Sequence, residues 1–249
     1  MPPRLVLIVP CYNEAARLDG QGFLDFAATH PSVRLLFVDD GSSDATPGML
    51  DRLKDQAAGA VDVIHLPSNR GKGGAVREGI LEALRGRPDL VGFWDADLAT
   101  PLRAVDDFLA LASKRPNIDV FLGSRVMLMG RDIRRSAWRH YLGRVFATTV
   151  SLTLGLPVYD TQCGAKVFRA DDAIAAVFAE PFHSPWIFDV ELLARYLAVP
   201  VGPGQPARRD RIYELAVPAW HDVPGSKLRA ADFLRAVFEL RTIRRRYPR

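Results

Sequence analysis

Apolar and polar positions follow one repeated order through the first half of the chain. Short continuous runs of apolar, often β-branched residues occupy Leu5–Val9, Val33–Val38, Val61–Leu66 and Leu90–Trp94. Runs of this length without alternation predict strands buried on both faces. A polar loop and then a stretch of helical spacing follow each run, predicting helices from Asn13 to about Thr29, Pro47 to about Ala58, Asn69 to about Leu84 and Pro101 to Lys114. Asn13 and Asp44 are the expected caps of the first two, because a short polar side chain there satisfies a free N–H of the opening turn. This alternation predicts an α/β fold with a mostly parallel sheet flanked by helices and a ligand site beyond the C-terminal strand ends. The loops Tyr12–Glu14, Asp39–Ser43, Asn69–Gly74 and Asp95–Asp97 all fall at those ends and are expected to meet around one ligand.

The order changes after a fifth strand at Asp119–Leu122. A loop over Gly123–Arg131 leads to a long helix from Arg134 to about Leu154, basic in its first half and apolar in its second. A turn from Asp160 enters another strand, helices begin near Asp171 and Phe188, and a surface loop spans Pro200–Arg211. The strand Ile212–Val217 and a last helix from Leu228 to Arg246 complete the chain. The Arg134–Leu154 segment admits two readings, a helix lying in a membrane interface or an ordinary core-packing helix.

Composition narrows the class. The chain has 249 residues, enough for one large α/β domain with its own core. A formal net charge of +4 is modest, yet cations gather at Arg125–Arg144 and from Arg229 onward, which suggests anionic partners. Nucleic acid is not expected, for no reading motif accompanies that charge. Cys11 and Cys163 form no zinc or disulfide framework, so a reducing, cytoplasmic setting is expected. The uncharged stretch Val145–Tyr159 is shorter than the ~20 apolar residues of a spanning helix. Neither a transmembrane segment nor a secretion signal is expected.

Candidate chemistry centres on Asp95-Ala-Asp97. In an extended strand residues i and i+2 share a face, so both carboxylates can converge on one cation or one sugar nucleotide. Carboxylate oxygens suit Mg²⁺ or Mn²⁺ when substrate phosphates complete the shell. The competing reading makes Asp97 a helix cap and Asp95 a turn residue. The glycines of Asn69-Arg-Gly-Lys-Gly-Gly lack the spacing of a P-loop, and no G-x-G-x-x-G follows the first strand. P-loop and dinucleotide chemistry are therefore set aside.

Taken in order, V-P-C-Y-N-E, V-D-D-G-S-S-D-A-T, N-R-G-K-G-G-A, W-D-A-D-L-A-T-P, G-S-R, D-T-Q-C-G-A-K-V-F and W-I-F-D-V-E-L-L resemble the inverting family 2 glycosyltransferases of GT-A fold. Among these the chain is most similar to dolichyl-phosphate β-glucosyltransferases and other polyprenyl-phosphate enzymes. The resemblance implies one domain over 1–249, with a nucleotide-binding half (1–115), an acceptor half (116–227) and a basic amphipathic C-terminal helix (228–249). It implies that Asp97 ligates the metal and that Asp95 contacts sugar, ribose or metal. Pro10, Tyr12, Glu14, Asp39, Asp40, Lys72 and Ala96 would hold the rest of the nucleotide sugar, and Lys227, with His221 and Ser226, would close over its diphosphate. Asp189 is the implied general base, Asp160 the second candidate, and Glu191 the adjoining carboxylate. Arg125, Arg131 and Lys166 are the implied contacts of an acceptor phosphate.

The expected reaction is metal-dependent, inverting transfer of a hexose, glucose from UDP-glucose ahead of a GDP-sugar, to a polyprenyl or dolichyl phosphate. The expected setting is cytoplasmic, with peripheral contact at the inner membrane face. Transfer to a soluble or glycan hydroxyl is the alternative acceptor chemistry, and a non-catalytic nucleotide-sugar-binding protein is the alternative class.

Overall fold

The computed structural model describes residues 2–57, 59–134, 137–184, 187–221 and 230–248. Its centre is a seven-stranded sheet built from β1 (Leu5–Cys11), β2 (Val33–Asp39), β3 (Val61–His65), β4 (Leu90–Trp94), β5 (Val120–Ser124), β7 (Ala165–Arg169) and β8 (Ile212–Ala216). Their order is β3-β2-β1-β4-β7-β5-β8, all neighbours parallel except β7, which runs antiparallel to β4 and β5. A small second sheet pairs β6 (Asp132–Arg134) with β9 (Ala219–His221). The helices are α1 (Gly20–Thr29), α2 (Thr46–Gln56), α3 (Gly71–Arg85), α4 (Ala104–Lys114), α5 (Ala137–Leu154), α6 (Asp172–Ala179), α7 (Phe188–Ala198) and α8 (Ala230–Arg246).

Burial on both sheet faces explains the unbroken apolar runs. One layer packs Phe23, Phe37, Leu50, Trp94 and Phe108, and the other packs Ile8, Ile80, Phe93, Phe168 and Phe188. The helices α1, α4 and α5 start later than the sequence expectation. α1 begins at Gly20 because Asn13 sits in the left-handed region at φ 54° and cannot open a helix. Asp19 is the cap instead, accepting from the Gly22 N–H at 3.0 Å. α4 begins at Ala104, after a turn in which the Thr100 carbonyl accepts the buried Trp94 indole N–H at 2.7 Å. α5 starts at Ala137 because Asp132–Arg134 pair as β6.

α5 is neither wholly core nor wholly surface. Ala147, Val150 and Leu154 are buried, while Tyr141, Val145 and Leu152 are exposed. α8 packs against α5 and α7 through Ala236, Leu240 and Ile243 and turns Arg241, Arg244, Arg245 and Arg246 outward. No helix among the described residues is long and apolar enough to cross a membrane.

Candidate active site

The C-terminal ends of β1, β2 and β4 frame a cleft of about 570 Å³, completed by the start of α3, by Arg125 after β5 and by Trp220 of β9. Topology places it there: β1 and β4 are parallel neighbours, so the loops that leave their C-terminal ends lie side by side, with α1 and α4 on one face of the sheet and α3 on the other. Pro10, Tyr12, Glu14, Asp40, Lys72 and the Asp95-Ala96-Asp97 turn all line it. A second groove, at the other end of the sheet, carries Arg34 and Arg85 already paired with Asp62 and Glu82.

The turn after β4 is tightly specified. The Asp95 N–H donates to the Gly164 carbonyl at 3.1 Å, and the Leu98 N–H returns to the Asp95 carbonyl at 3.2 Å. Leu98 adopts φ 51°, a left-handed conformation that costs a branched residue about 1–2 kcal/mol and is found mainly where function holds the chain. Asp97 accepts from the Ala99 N–H at 3.1 Å, so it closes its own turn and does not cap α4. Asp95 forms an ion pair with Lys72. Burial alone would raise the Asp95 carboxyl, but Lys72, with Lys166 and Arg125 behind it, outweighs burial and holds it below the ordinary carboxylate range. Asp97 goes the other way: burial first, then the neighbouring Asp95, push its carboxyl up.

Two carboxylates with opposite shifts, one neutralised by a lysine and one without an ion-pair partner among the described residues, fit a hard divalent cation whose remaining ligands come from a diphosphate and water. No three His, Cys, Asp or Glu side chains cluster as a metal cage among the described residues. A cation held by this pair would need substrate oxygens to complete its shell.

On the donor side, Asp40 accepts from the Arg70 N–H at 2.7 Å, and burial, with Asp39 adding to it, raises its carboxyl. Glu14 is buried and gripped by one guanidinium edge of Arg17, Nε and Nη2 each donating to one carboxylate oxygen, and Arg17 also lines the cleft. Tyr12 stands half exposed at the rim. Asp39 departs from expectation, since its oxygens are taken by the Ser42 N–H and by His65, and it braces the loop behind the cleft.

Several acceptor-side expectations are corrected. Lys166 is fully buried, donating to the Cys163 carbonyl at 2.7 Å and to Asp189 at 2.6 Å, and cannot reach an acceptor phosphate. Asp189 is correspondingly engaged and does not line the cleft. Asp160 is clasped by Arg125 at 2.6 and 2.8 Å and by the Arg125 backbone N–H. Arg125 itself lines the cleft, its guanidinium 5.3 Å from the Trp220 ring centre. Arg131 is exposed in the loop before β6 and does not reach the cleft. Lys227 and Ser226 lie outside the described residues; His221 is tied to the turn after β4 through its N–H, which donates to the Ala99 carbonyl at 3.0 Å.

Glu191 has a structural task. It is fully buried and accepts from the His183 and Ser184 N–H groups, the His183 ring and Arg195, away from the cleft. Burial opposes ionisation, but the Ser184 N–H, Arg195 and His183 together hold its carboxyl below the ordinary range. A carboxyl depressed on folding stabilises above its unfolded value, and that contribution is lost as pH falls through the folded value. Glu191→Gln should therefore lower stability by roughly 3–5 kcal/mol at neutral pH, because Arg195 is left buried without its partner. Chemical denaturation at stepwise lower pH should show the gap to wild type closing below the ordinary glutamate range; a constant gap refutes the assignment.

Arg17 and Trp220 join the site without having been singled out in the sequence, while Asn69 and Gly164 were read there only as members of a loop and a motif. Arg17, three residues after Glu14, had a helix-pair spacing as its only signal, while Trp220 is brought in by β9, too short to announce itself.

The chain is similar to known proteins of one family. The family model for "Glycosyl transferase family 2" matches residues 6–175. The dolichyl-phosphate β-glucosyltransferase of Saccharomyces cerevisiae is 33% identical over 98% of this chain and 75% of its own length. That of Drosophila melanogaster is 38% identical over 90% and 69%. Among solved structures, glucosyl-3-phosphoglycerate synthase from Mycobacterium tuberculosis with UDP superposes with a TM-score of 0.64 at 19% identity, covering 97% of this chain and 80% of that one. A mannosyltransferase from Pyrobaculum calidifontis with GDP-Man and Mn²⁺ gives 0.61 at 19%, covering 100% and 66%. The structural likenesses show the fold, the sequence relatives show the family, and on these grounds the chain belongs to glycosyl transferase family 2 as a glycosyltransferase of GT-A fold.

Proposed function

We propose that the enzyme transfers glucose from UDP-glucose to a dolichyl or other polyprenyl phosphate, with inversion, in the presence of Mg²⁺ or Mn²⁺. One observation carries the acceptor chemistry: both carboxylates suited to act as general base, Asp160 and Asp189, are committed to buried or half-buried cations. A hydroxyl acceptor needs a base to remove its proton. A phosphate monoester does not, since its second ionisation is near pH 6. Its oxygen forms the new bond to the anomeric carbon while the electron pair of the breaking C–O bond leaves with the nucleoside diphosphate, and no proton moves. The relatives at 33 and 38% identity, named for dolichyl phosphate and glucose, support the same acceptor and sugar.

Asp97 is the assigned metal ligand, with Asp95 beside it. When bound, the cation neutralises the leaving diphosphate. Lys72 holds Asp95 charged and in place, Glu14 and Asp40 offer acceptors to the base and ribose, and Tyr12 offers a ring face. An isoprenoid acceptor brings the reaction to a membrane surface, which we read as its cytoplasmic face.

Incubation with a panel of nucleotide sugars and Mn²⁺, with farnesyl phosphate or with hydroxyl acceptors, tests the reading. Glucosyl transfer from UDP-glucose to farnesyl phosphate is expected. Transfer confined to hydroxyl acceptors refutes it, and so does binding of the donor without transfer or hydrolysis.

A further inference from the structure

Beyond Arg125 the molecule has a second, smaller recess. Arg125 lines both spaces, and the far walls of the recess are Arg144 and Phe146 of α5 with Tyr159, Thr161 and Gln162. Thr161 is 1% exposed, and its hydroxyl has no hydrogen-bond partner among the described residues. Buried hydroxyls are rarely left so, because the lost hydration has nothing to replace it. Arg144 is lightly held. Its guanidinium lies over the Tyr159 ring, 3.6 Å from the ring centre, and among the described residues its one hydrogen bond is a long one, 3.4 Å, from Nη1 to the Tyr159 carbonyl. Stacking fixes the plane of the guanidinium and leaves its other N–H groups for an anion. Arg125 uses Nε and Nη2 on Asp160 and keeps Nη1.

We propose that this recess is the acceptor's phosphate subsite, in which a phosphate monoester accepts from Arg144, the free edge of Arg125 and the Thr161 hydroxyl. The assignment rests on the proposed transfer to a phosphate acceptor and moves the contact from Lys166 and Arg131 to Arg144 and Thr161. Charge supports it: among the described lining residues two guanidinium groups face one carboxylate, Asp160, whose oxygens already take Arg125 and the Gln162 N–H, while Glu214 behind it is taken up by the Tyr159 and Asp160 N–H groups. The subsite also continues into an apolar track. Tyr141, Val145 and Leu152, 70%, 66% and 76% exposed, share one face of α5 beside Arg144, and the hydrocarbon chain of the acceptor lies along it.

Calorimetric binding of farnesyl phosphate, 3-phosphoglycerate, inorganic phosphate and farnesol, followed by acceptor kinetics, tests the subsite. Arg144→Ala and Thr161→Val should each weaken farnesyl phosphate binding and raise its KM about tenfold or more, leaving UDP affinity and donor KM unchanged. Arg144→Lys, which keeps the charge and the fold without the planar fork, should fall between. Val145→Ser with Leu152→Ser should weaken farnesyl phosphate and leave inorganic phosphate unaffected. If wild type glucosylates farnesyl phosphate but Arg144→Lys and Thr161→Val bind it as wild type does, the subsite is wrong and the functional reading stands. If wild type glucosylates only hydroxyl acceptors, the functional reading and the subsite fall together. Equal affinity for 3-phosphoglycerate and farnesyl phosphate overturns the apolar track.

Discussion

Asp97→Asn should reduce glycosyl transfer to about one hundredth of wild type or less, a loss in the range expected when a Lewis-acid site is removed. The substitution separates two roles that one carboxylate can play. Asparagine still offers a carbonyl oxygen to the Ala99 N–H, so the turn survives. The charge is lost. Burial and Asp95 already disfavour the charged form of Asp97, so its removal relieves repulsion and should leave thermal stability unchanged or slightly raised. Mn²⁺ titration followed by paramagnetic resonance with UDP present gives a readout independent of turnover, and affinity for the ion should fall at least tenfold. Unchanged Mn²⁺ affinity and turnover would transfer the metal to Asp95 and return Asp97 to a turn residue.

That ambiguity marks how far the sequence could be read. The four buried strands, the loops at their C-terminal ends and the convergence of Tyr12, Glu14, Asp40, Lys72 and Asp95–Asp97 were all legible, because continuous apolar runs fix a parallel core and a parallel core fixes one functional end. Partners were not legible. Lys72 and Asp95 stand far apart in sequence, and nothing in either motif says that they neutralise one another. Lys166 follows Cys163 in a turn motif and looked available; only the pairing of β7 with β4 and β5 carries its side chain into the core against Asp189. A lysine and an aspartate can each be a ligand group or each other's partner, and periodicity does not distinguish the two. The start of α1 was missed for a local reason, since Asn13 reads as a cap until its left-handed backbone is seen.

Gly164→Ala is the second large effect expected, at a position the sequence offered only as one member of the D-T-Q-C-G-A-K-V-F motif. A Cβ there would fall on the Asp95 carboxylate, overlapping both oxygens and the carbon between them. The backbone has little freedom to retreat, because the Gly164 carbonyl accepts the Asp95 N–H at 3.1 Å and the next residue, Ala165, pairs with Trp94 in the sheet. The side chain of Asp95 must therefore rotate, and its ion pair with Lys72 opens. Turnover should fall about 10²-fold, while overpacking at this one contact costs stability about 1–3 kcal/mol. A retained far-UV spectrum and near-wild-type UDP affinity, alongside lost transfer, would locate the damage at the sugar and diphosphate rather than at the base. A Gly164→Ala enzyme with wild-type turnover would mean that Asp95 does its work from another position, and that the Lys72 pair is a resting arrangement the substrate itself undoes.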